Sequence, residues 1–192
     1  MIKLKKYNII LGSASPRRKK LLKDLNIVFY IKKTNKKEKY PRNLKKNKIP
    51  EFLAKQKAKF ISEELSNNYL LITADTIVIQ KQNIIHKPKD KNDAINTLKK
   101  LSGKKHEVIS GVCIKTNQKE IVFSSITEVY FNDLSKDEIN YYIDYFKPFD
   151  KAGSYGIQEW IGDIGIKKIK GSYNNVIGLP TSKLYQKLKL FT

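Results

Sequence analysis

The 192-residue chain has a single cysteine, Cys113, and nowhere a run of about 18 apolar residues. One cysteine excludes an internal disulfide framework and is typical of a reducing compartment. The short apolar runs predict no membrane-spanning helix, and Lys3, Lys5 and Lys6 interrupt the segment where a secretory signal would be apolar. We therefore expect a soluble, cytoplasmic protein without a membrane partner.

Histidine is scarce as well, because His86 and His106 are the only two in the chain. Neither has a cysteine nearby, and a zinc site needs several nitrogen or sulfur ligands at short spacing. No serine has the glycine neighbours of a nucleophile elbow, so a Ser-His-Asp triad is not indicated either. We expect structural roles for both histidines.

Acidic residues are less than half as numerous as basic ones, since 18 Asp and Glu stand against 39 Lys and Arg, a formal net charge of +21. The excess is almost entirely lysine and is spread over nearly every segment, together with much Ile and Asn, as AT-rich coding would produce. Such a charge steers a small polyanionic substrate towards the protein. A nucleic-acid surface is the other interpretation, although Tyr and Phe do not alternate with the basic residues as in single-strand binders.

Helices are predicted where apolar residues recur every three or four positions after a capping residue. One helix begins at Ser15 and runs to about Leu25, and a second runs from Pro50 to about Leu65. Three more are predicted from their caps and stops: from Asp90 to Gly103, from a Ser135–Glu138 capping box to the residue before Pro148, and from Pro180 onward.

Strands are predicted at Ile9–Leu11, on both sides of an interruption within YLLITADTIVIQ (residues 69–80), and at 107–115 and 119–131, which we expect to pair antiparallel. Residues 32–48 are lysine-rich and nearly devoid of apolar side chains, which indicates an exposed, mobile loop. The alternation of strands and helices predicts an α/β fold. Because no repeat or linker divides the chain, we expect one domain over residues 1–192.

The segment LGSASPRRKK, residues 11–20, places four cations in the first turn of a helix that Ser15 caps. Cations there oppose the helix dipole by roughly a few tenths of a kcal/mol each. An anion bound at that end of the helix would make the cations favourable. A loop of small residues that leads into a helix offers backbone N–H groups to such an anion, for example a phosphate. Arg17 and Arg18 add forked donors that match phosphate oxygens, whereas the ending of a Walker loop is absent. A surface turn followed by solvated cations is the alternative.

Asp75 lies among apolar residues in LLITADTIVI, where a buried carboxylate costs several kcal/mol unless it is paired or liganded. A metal ion or a catalytic water would explain it, and so would an ordinary aspartate that binds its own backbone at a strand end. Thr76 beside it can lend a hydroxyl to a ligand or merely favour the strand.

Two lysines are candidates for the same chemistry. Lys57 lies one helical turn from both Leu53 and Ile61, where it either faces a site or extends along the helix towards water. Lys87 precedes a stiffening proline after a predicted hairpin. Hydrolysis of a nucleotide polyphosphate requires dispersed cations, a carboxylate in an apolar strand and a helix start that binds phosphate. The cations and a divalent metal neutralise the phosphates, while the carboxylate activates water.

Four blocks of the chain resemble, in order and spacing, the signature blocks of the Maf family across residues 9–190: LGSASPRRKKLL, ITADTIVI, HKPKDKNDAINTLKKLSGKKHEVISGV and FDKAGSYGIQ…IKGSYNNVIGLP. Members are nucleoside triphosphate pyrophosphatases, which release diphosphate and leave a nucleoside monophosphate. The block DKAGSYGIQ resembles the branch that acts on dTTP and UTP. The resemblance implies a mixed sheet flanked by helices, two lobes around a deep cleft, a role in clearing the nucleotide pool, and a homodimer.

The resemblance also implies roles for individual residues. Asp75 matches the catalytic carboxylate that accepts a proton, and it stands with Glu38 near a divalent metal, Mg²⁺ or Mn²⁺. The other matches concern the substrate: Ser13, Arg17 and Arg18 in the phosphate-binding loop, Lys57 and Lys87 among the cations of the cleft, and Arg17, Thr76 and Gln158 in base selection. A glutamine amide donates and accepts at once, which fits a pyrimidine edge with a carbonyl and an N–H.

The chain departs from the family pattern beside two of these residues. Lys37 replaces a common aspartate before Glu38, and Glu159 replaces a glycine after Gln158, at the rim of the implied base pocket. Two other functions stay open, the first because of the net charge of +21 and the second because of Glu159. One is a basic regulator of cell division that binds nucleic acid on the same fold, and the other is the same reaction on a purine or modified nucleotide.

Overall fold

The computed structural model describes residues 2, 4 and 6–192. These residues form seven strands and seven α-helices, which confirms the predicted α/β class. The strands are β1 Asn8–Leu11, β2 Tyr30–Ile31, β3 Tyr69–Gln80, β4 Asn83–Ile85, β5 Lys105–Lys115, β6 Glu120–Phe131 and β7 Ile166–Lys170. The helices are α1 Pro16–Lys23, α2 Ile49–Ser62, α3 Lys91–Leu101, α4 Lys136–Phe146, α5 Trp160–Gly165, α6 Tyr173–Ile177 and α7 Thr181–Leu188.

The strands pair into a mixed sheet in the order β2-β1-β3-β5-β6-β7, with β4 paired to β3. Strand β1 runs parallel to both β2 and β3, with Leu11 opposite Ile72. The β3–β4 and β6–β7 pairs are antiparallel. The four residues between β5 and β6 leave room only for a hairpin connection, so these neighbours are antiparallel as predicted. The mixed sheet implied by the resemblance is therefore confirmed.

The chain divides into two compact units, and β3, β5 and β6 contribute residues to both. The first unit contains the residues up to Asp75, Ser110–Ser125 and Gly178–Thr192. The second contains Thr76–Ile109 and Ile126–Ile177.

In the first unit, helix α2 packs its apolar face on the sheet. Ala54, Ala58 and Ile61 recur at helical spacing and are buried with Leu71 of β3 and Cys113 of β5. The hydroxyl of Thr73 donates to the carbonyl oxygen of Ala54 at 2.6 Å, which fixes the helix at one height on the strand. Burial raises the pKa of the Cys113 thiol to about 12, so the thiol is protonated near pH 7.

In the second unit, helices α3 and α4 cover a core of strand residues. Their buried side chains include Leu98 and Leu101 from α3 and Ile139 and Tyr142 from α4. The sequence signals for both helices are confirmed: Asp90 accepts a hydrogen bond from the Asp93 amide at 2.8 Å, and the Ser135–Glu138 capping box is present.

Three sequence expectations are wrong in detail. Strand β3 is continuous from Tyr69 to Gln80, without the predicted interruption at Asp75. Helix α2 ends at Ser62, about a turn before Leu65. Residues 32–45 lack helix and strand, as predicted, but 46–48 form a 3-10 turn that leads into α2. Within the described residues no helix has the length and apolarity to cross a membrane.

Candidate active site

The loop between β1 and α1 holds its polar groups through its own side chains. The Oγ atom of Ser15 caps α1 by accepting a hydrogen bond from the Arg18 amide at 3.4 Å, and Pro16 occupies the first helical turn. The Oγ atom of Ser13 accepts from the Ser15 amide at 3.2 Å and from Nη1 of Arg18 at 3.4 Å. The loop and the first turn of α1 thus form one hydrogen-bonded unit, and the predicted Ser15 cap is confirmed.

Arg18 is fixed by the fold rather than solvated. Its Nε atom donates to the carbonyl oxygen of Gly178 at 2.9 Å, across 160 residues of sequence. Burial lowers the pKa of this guanidinium, and the nearby carboxylates of Asp75 and Glu38 oppose that effect. Arg17 is half-buried and close enough to repel the charge of Arg18. An arginine stays protonated, so two positive charges and two carboxylates share this region.

Asp75 lies within β3 rather than at its end, which rules out the turn interpretation. Its side chain is only 18% exposed, and its Oδ1 atom accepts from Nζ of Lys57 at 2.6 Å. The ion pair offsets part of the cost of placing a carboxylate among apolar strand residues.

Lys57 reaches Asp75 because α2 packs on the sheet next to this part of β3. Its Nζ atom also lies 3.2 Å from Oε2 of Glu38 and donates to the carbonyl oxygen of Ala74 at 3.3 Å. Its side chain is 15% exposed, so the interpretation that it extends towards water is wrong. One ammonium therefore bridges two carboxylates that stand 37 residues apart in the sequence.

Glu38 belongs to the loop that precedes α2, and Gln56 holds that loop in place. The amide of Lys39 donates to Oε1 of Gln56 at 2.9 Å, and Nε2 of Gln56 donates to the carbonyl oxygen of Lys39 at 3.1 Å. This pair of hydrogen bonds fixes the backbone next to Glu38 against the helix that carries Lys57. Sequence reasoning missed Gln56, because a polar residue on a helix has no local signal for such a distant contact.

The two carboxylates fit a divalent metal whose remaining ligands come from substrate and water. Magnesium keeps several waters and is commonly bound through one or two carboxylates plus substrate phosphates. Among the described residues no group of three or more His, Cys, Asp or Glu is placed to hold a metal by itself. The donor set therefore suits Mg²⁺ or Mn²⁺ and not a closed zinc site.

Three of the predicted site residues belong to the second unit. Thr76 is half-buried in β3, and Lys87 is exposed just after the β3–β4 hairpin, next to the buried Pro88. Gln158 is exposed in a turn before α5. The side chain of Glu159 is 20% exposed and is turned inward to Tyr142 and Lys151.

The histidines differ in their surroundings. His106 is buried between Phe131 and Tyr155, both in edge-to-face contact, and its Nε2 atom shares a hydrogen bond of 2.7 Å with the Tyr155 hydroxyl. Burial lowers the pKa of His106 to about 4, so the ring is neutral near pH 7. His86 is exposed.

The family model described as Maf-like protein matches residues 8–191 of the chain. A Phocaeicola vulgatus protein named dTTP/UTP pyrophosphatase is 51% identical over 187 residues, which cover 97% of either chain. Proteins of the same name from Flavobacterium johnsoniae and Bacteroides fragilis are 48% and 47% identical, over 97% of this chain and 96% and 97% of theirs. The sequence blocks and these near full-length matches agree: the chain belongs to the Maf family.

Proposed function

We propose that the protein is a nucleoside triphosphate pyrophosphatase that hydrolyses dTTP and UTP to the nucleoside monophosphate and diphosphate. The relatives at about 48% identity carry that name over nearly their whole length. The single observation that carries the proposal is the cluster in which Lys57 links Asp75 to Glu38 beside the guanidinium of Arg18. A carboxylate held among fixed cations is suited to activating water next to a polyphosphate.

In this mechanism Asp75 accepts the proton of the attacking water. The water oxygen bonds to the α-phosphorus, the bond between the α-phosphorus and the bridging oxygen breaks, and the leaving diphosphate takes the electron pair. Positive groups bind the phosphate oxygens as charge moves onto the leaving group. We assign this role to Ser13, Arg17, Arg18, Lys57 and Lys87. Gly178 and Ser13 anchor the side chain of Arg18, so its guanidinium needs little reorganisation to bind a phosphate.

Base selection is assigned to Arg17, Thr76 and Gln158. The amide of Gln158 offers a donor and an acceptor side by side, which matches the carbonyl and N–H of uracil or thymine. Its exposure leaves that amide accessible to a ligand.

Glu38 and Asp75 would hold a divalent metal, Mg²⁺ or Mn²⁺. When bound, such an ion withdraws electron density from the phosphates and lowers the pKa of water. Lys57 keeps the two carboxylates together and compensates their charge.

The setting of the reaction is part of the same proposal. We place the protein in the cytoplasm as a single functional domain over residues 1–192, in a homodimer, with free nucleotides rather than nucleic acid as its partners. Its action there would remove unwanted nucleotides from the pool.

The proposal is tested by incubating the purified protein with each of the common ribo- and deoxyribonucleoside triphosphates and Mg²⁺ or Mn²⁺, and identifying the products. We expect dTTP and UTP to give monophosphate and diphosphate, with a much smaller kcat/KM for purine nucleotides. Release of orthophosphate instead of diphosphate would contradict the reaction, and a preference for a purine would contradict the substrate.

A further inference from the structure

Gln158 sits at the tip of a tight turn whose backbone is closed by a hydrogen bond. The amide of Glu159 donates to the carbonyl oxygen of Gly156 at 3.0 Å. Ile157, inside the turn, is 5% exposed and packs in the core, and its carbonyl oxygen accepts from the Tyr173 hydroxyl at 3.4 Å. The side chain of Gln158 is therefore the exposed part of a turn that is otherwise anchored.

The hydroxyl of Tyr142 connects the two ends of this turn. It accepts a hydrogen bond from the Gly156 amide at 2.9 Å and donates one to Oε2 of Glu159. Tyr142 is fully buried on α4, so its ring cannot shift without disturbing the core. Burial, followed by the contact with Glu159, raises the pKa of this phenol, which keeps it protonated and able to donate.

Lys151 compensates the charge that Glu159 brings into this region. Its Nζ atom lies 3.1 Å from Oε1 of Glu159, and the lysine side chain is only 10% exposed. The carboxylate also lies so close to Gly156 that a Cβ atom there would be 2.6 Å from Cδ of Glu159. The carboxylate thus occupies the space that a side chain at position 156 would need.

We propose that Glu159, acting through Tyr142 and Lys151, is a positioning residue that holds Gln158 in the orientation that selects uracil and thymine. This inference rests on the proposed contact of Gln158 with the base. Glu159 touches no substrate in this arrangement, because its carboxylate faces the core and not the exposed side of the turn. Its expected effect is on selection between bases, because its contact with Tyr142 stabilises the turn that carries Gln158.

The test compares kcat/KM for UTP and CTP, which differ only at the edge of the base. Glu159→Gln keeps the shape of the side chain but replaces one carboxylate oxygen with an NH2 group, so either Tyr142 or Lys151 loses its acceptor. Tyr142→Phe removes only the bridging hydroxyl. We expect either variant to lower the UTP-to-CTP ratio at least tenfold. Hydrogen exchange at the Gly156 amide should rise in Tyr142→Phe, because that amide loses its acceptor.

The chain offers a matched control on β6. Glu128 accepts from the Tyr130 hydroxyl at 2.7 Å and pairs with Lys105 at 2.6 Å, the same three residue types without a turn that carries a candidate ligand. Glu128→Gln and Tyr130→Phe should leave the substrate ratio within twofold of the wild type. An equal loss of selectivity in these controls would overturn the proposal.

Gln158→Ala distinguishes the base contact of Gln158 from the positioning role of Glu159. If it lowers the ratio and Glu159→Gln does not, the positioning role is overturned while the base contact stands. If Gln158→Ala leaves the ratio unchanged, the base contact is wrong and the positioning role falls with it. If both lower the ratio, Glu159→Gln added to Gln158→Ala should change it less than twofold further, because the two act on the same contact. Should Tyr142→Phe fail to fold, Glu159→Gln carries the test alone.

Discussion

The Nζ atom of Lys57 lies 2.6 Å from Oδ1 of Asp75 and joins helix α2 to the middle of strand β3. The same atom is 3.2 Å from Oε2 of Glu38, so the three charged groups form one cluster. Both carboxylates keep further lone pairs for a metal or a water. An anionic substrate therefore meets carboxylates whose repulsion is already reduced by a fixed ammonium.

The role of Asp75 as a base predicts a large effect of Asp75→Asn on turnover. The amide cannot accept a proton, so kcat should fall by roughly 10³-fold, while the change in volume is negligible. Diphosphate release gives kcat, and calorimetric titration with dTTP gives binding. Asp144→Asn, which removes the exposed ion pair between Asp144 of α4 and Lys91 of α3, should change neither. Undiminished diphosphate release from Asp75→Asn would contradict the mechanism.

Removing the ammonium at position 57 should impair catalysis more than folding. Lys57→Met keeps the length of the side chain but leaves Asp75 and Glu38 uncompensated, so kcat/KM for dTTP should fall roughly 10²-fold. Lys55→Met is the control on the same helix, because Lys55 is 61% exposed and pairs with Glu120 on another face. The assigned role fails if both variants have the same kcat/KM.

The buried His106 predicts a specific dependence of stability on pH. Its pKa is about 4 in the folded state, below the ordinary 6.5, so unfolding takes up a proton between these values. The free energy of unfolding should be unaffected by this group above pH 6.5 and should decrease by about 3 kcal/mol as the pH falls to 4. Urea unfolding at a series of pH values measures it. His106→Gln should flatten the curve between pH 6.5 and 4, and His86→Gln should not.

The approach of α2 to β5 predicts that Gly111 tolerates no side chain. A Cβ atom there would lie 2.2 Å from the carbonyl carbon of Pro50 and 2.3 Å from the amide nitrogen of Glu51, and backbone atoms cannot rotate away. Gly111→Ala should lower the free energy of unfolding by about 3 kcal/mol and Tm by roughly 10 °C. At Gly165 the nearest atom is a leucine methyl at 3.1 Å, so Gly165→Ala should cost less than about 1 kcal/mol. Equal Tm values for the two variants would refute the packing argument.

Most elements of the fold were predictable because their signals are local. Ser15, Asp90 and the Ser135–Glu138 box mark helix starts through contacts within three residues, and all are present. The interruption predicted in β3 was wrong, because Asp75 looked incompatible with a strand when only its neighbours in sequence were considered. Its partner is 18 residues away, and that ion pair lets the strand continue.

In the candidate site, too, local features were predictable and contacts between residues distant in sequence were not. The chemistry of its residue types and their match to the Maf blocks are readable from the chain, and the roles drawn from them remain predictions. Gln56 was missed because its hydrogen bonds with Lys39 span 17 residues, and the inward turn of Glu159 was missed because Tyr142 lies 17 residues before it.

Residue pattern and capping chemistry determine where most helices and strands form, since they act over a single turn or a few residues. Which charges meet is decided by the folded chain, where β3 brings Asp75 to Lys57 and α4 brings Tyr142 to Glu159. The reason is physical: a pairing energy depends on distance in space, and distance in space between residues far apart in sequence exists only after the core has packed.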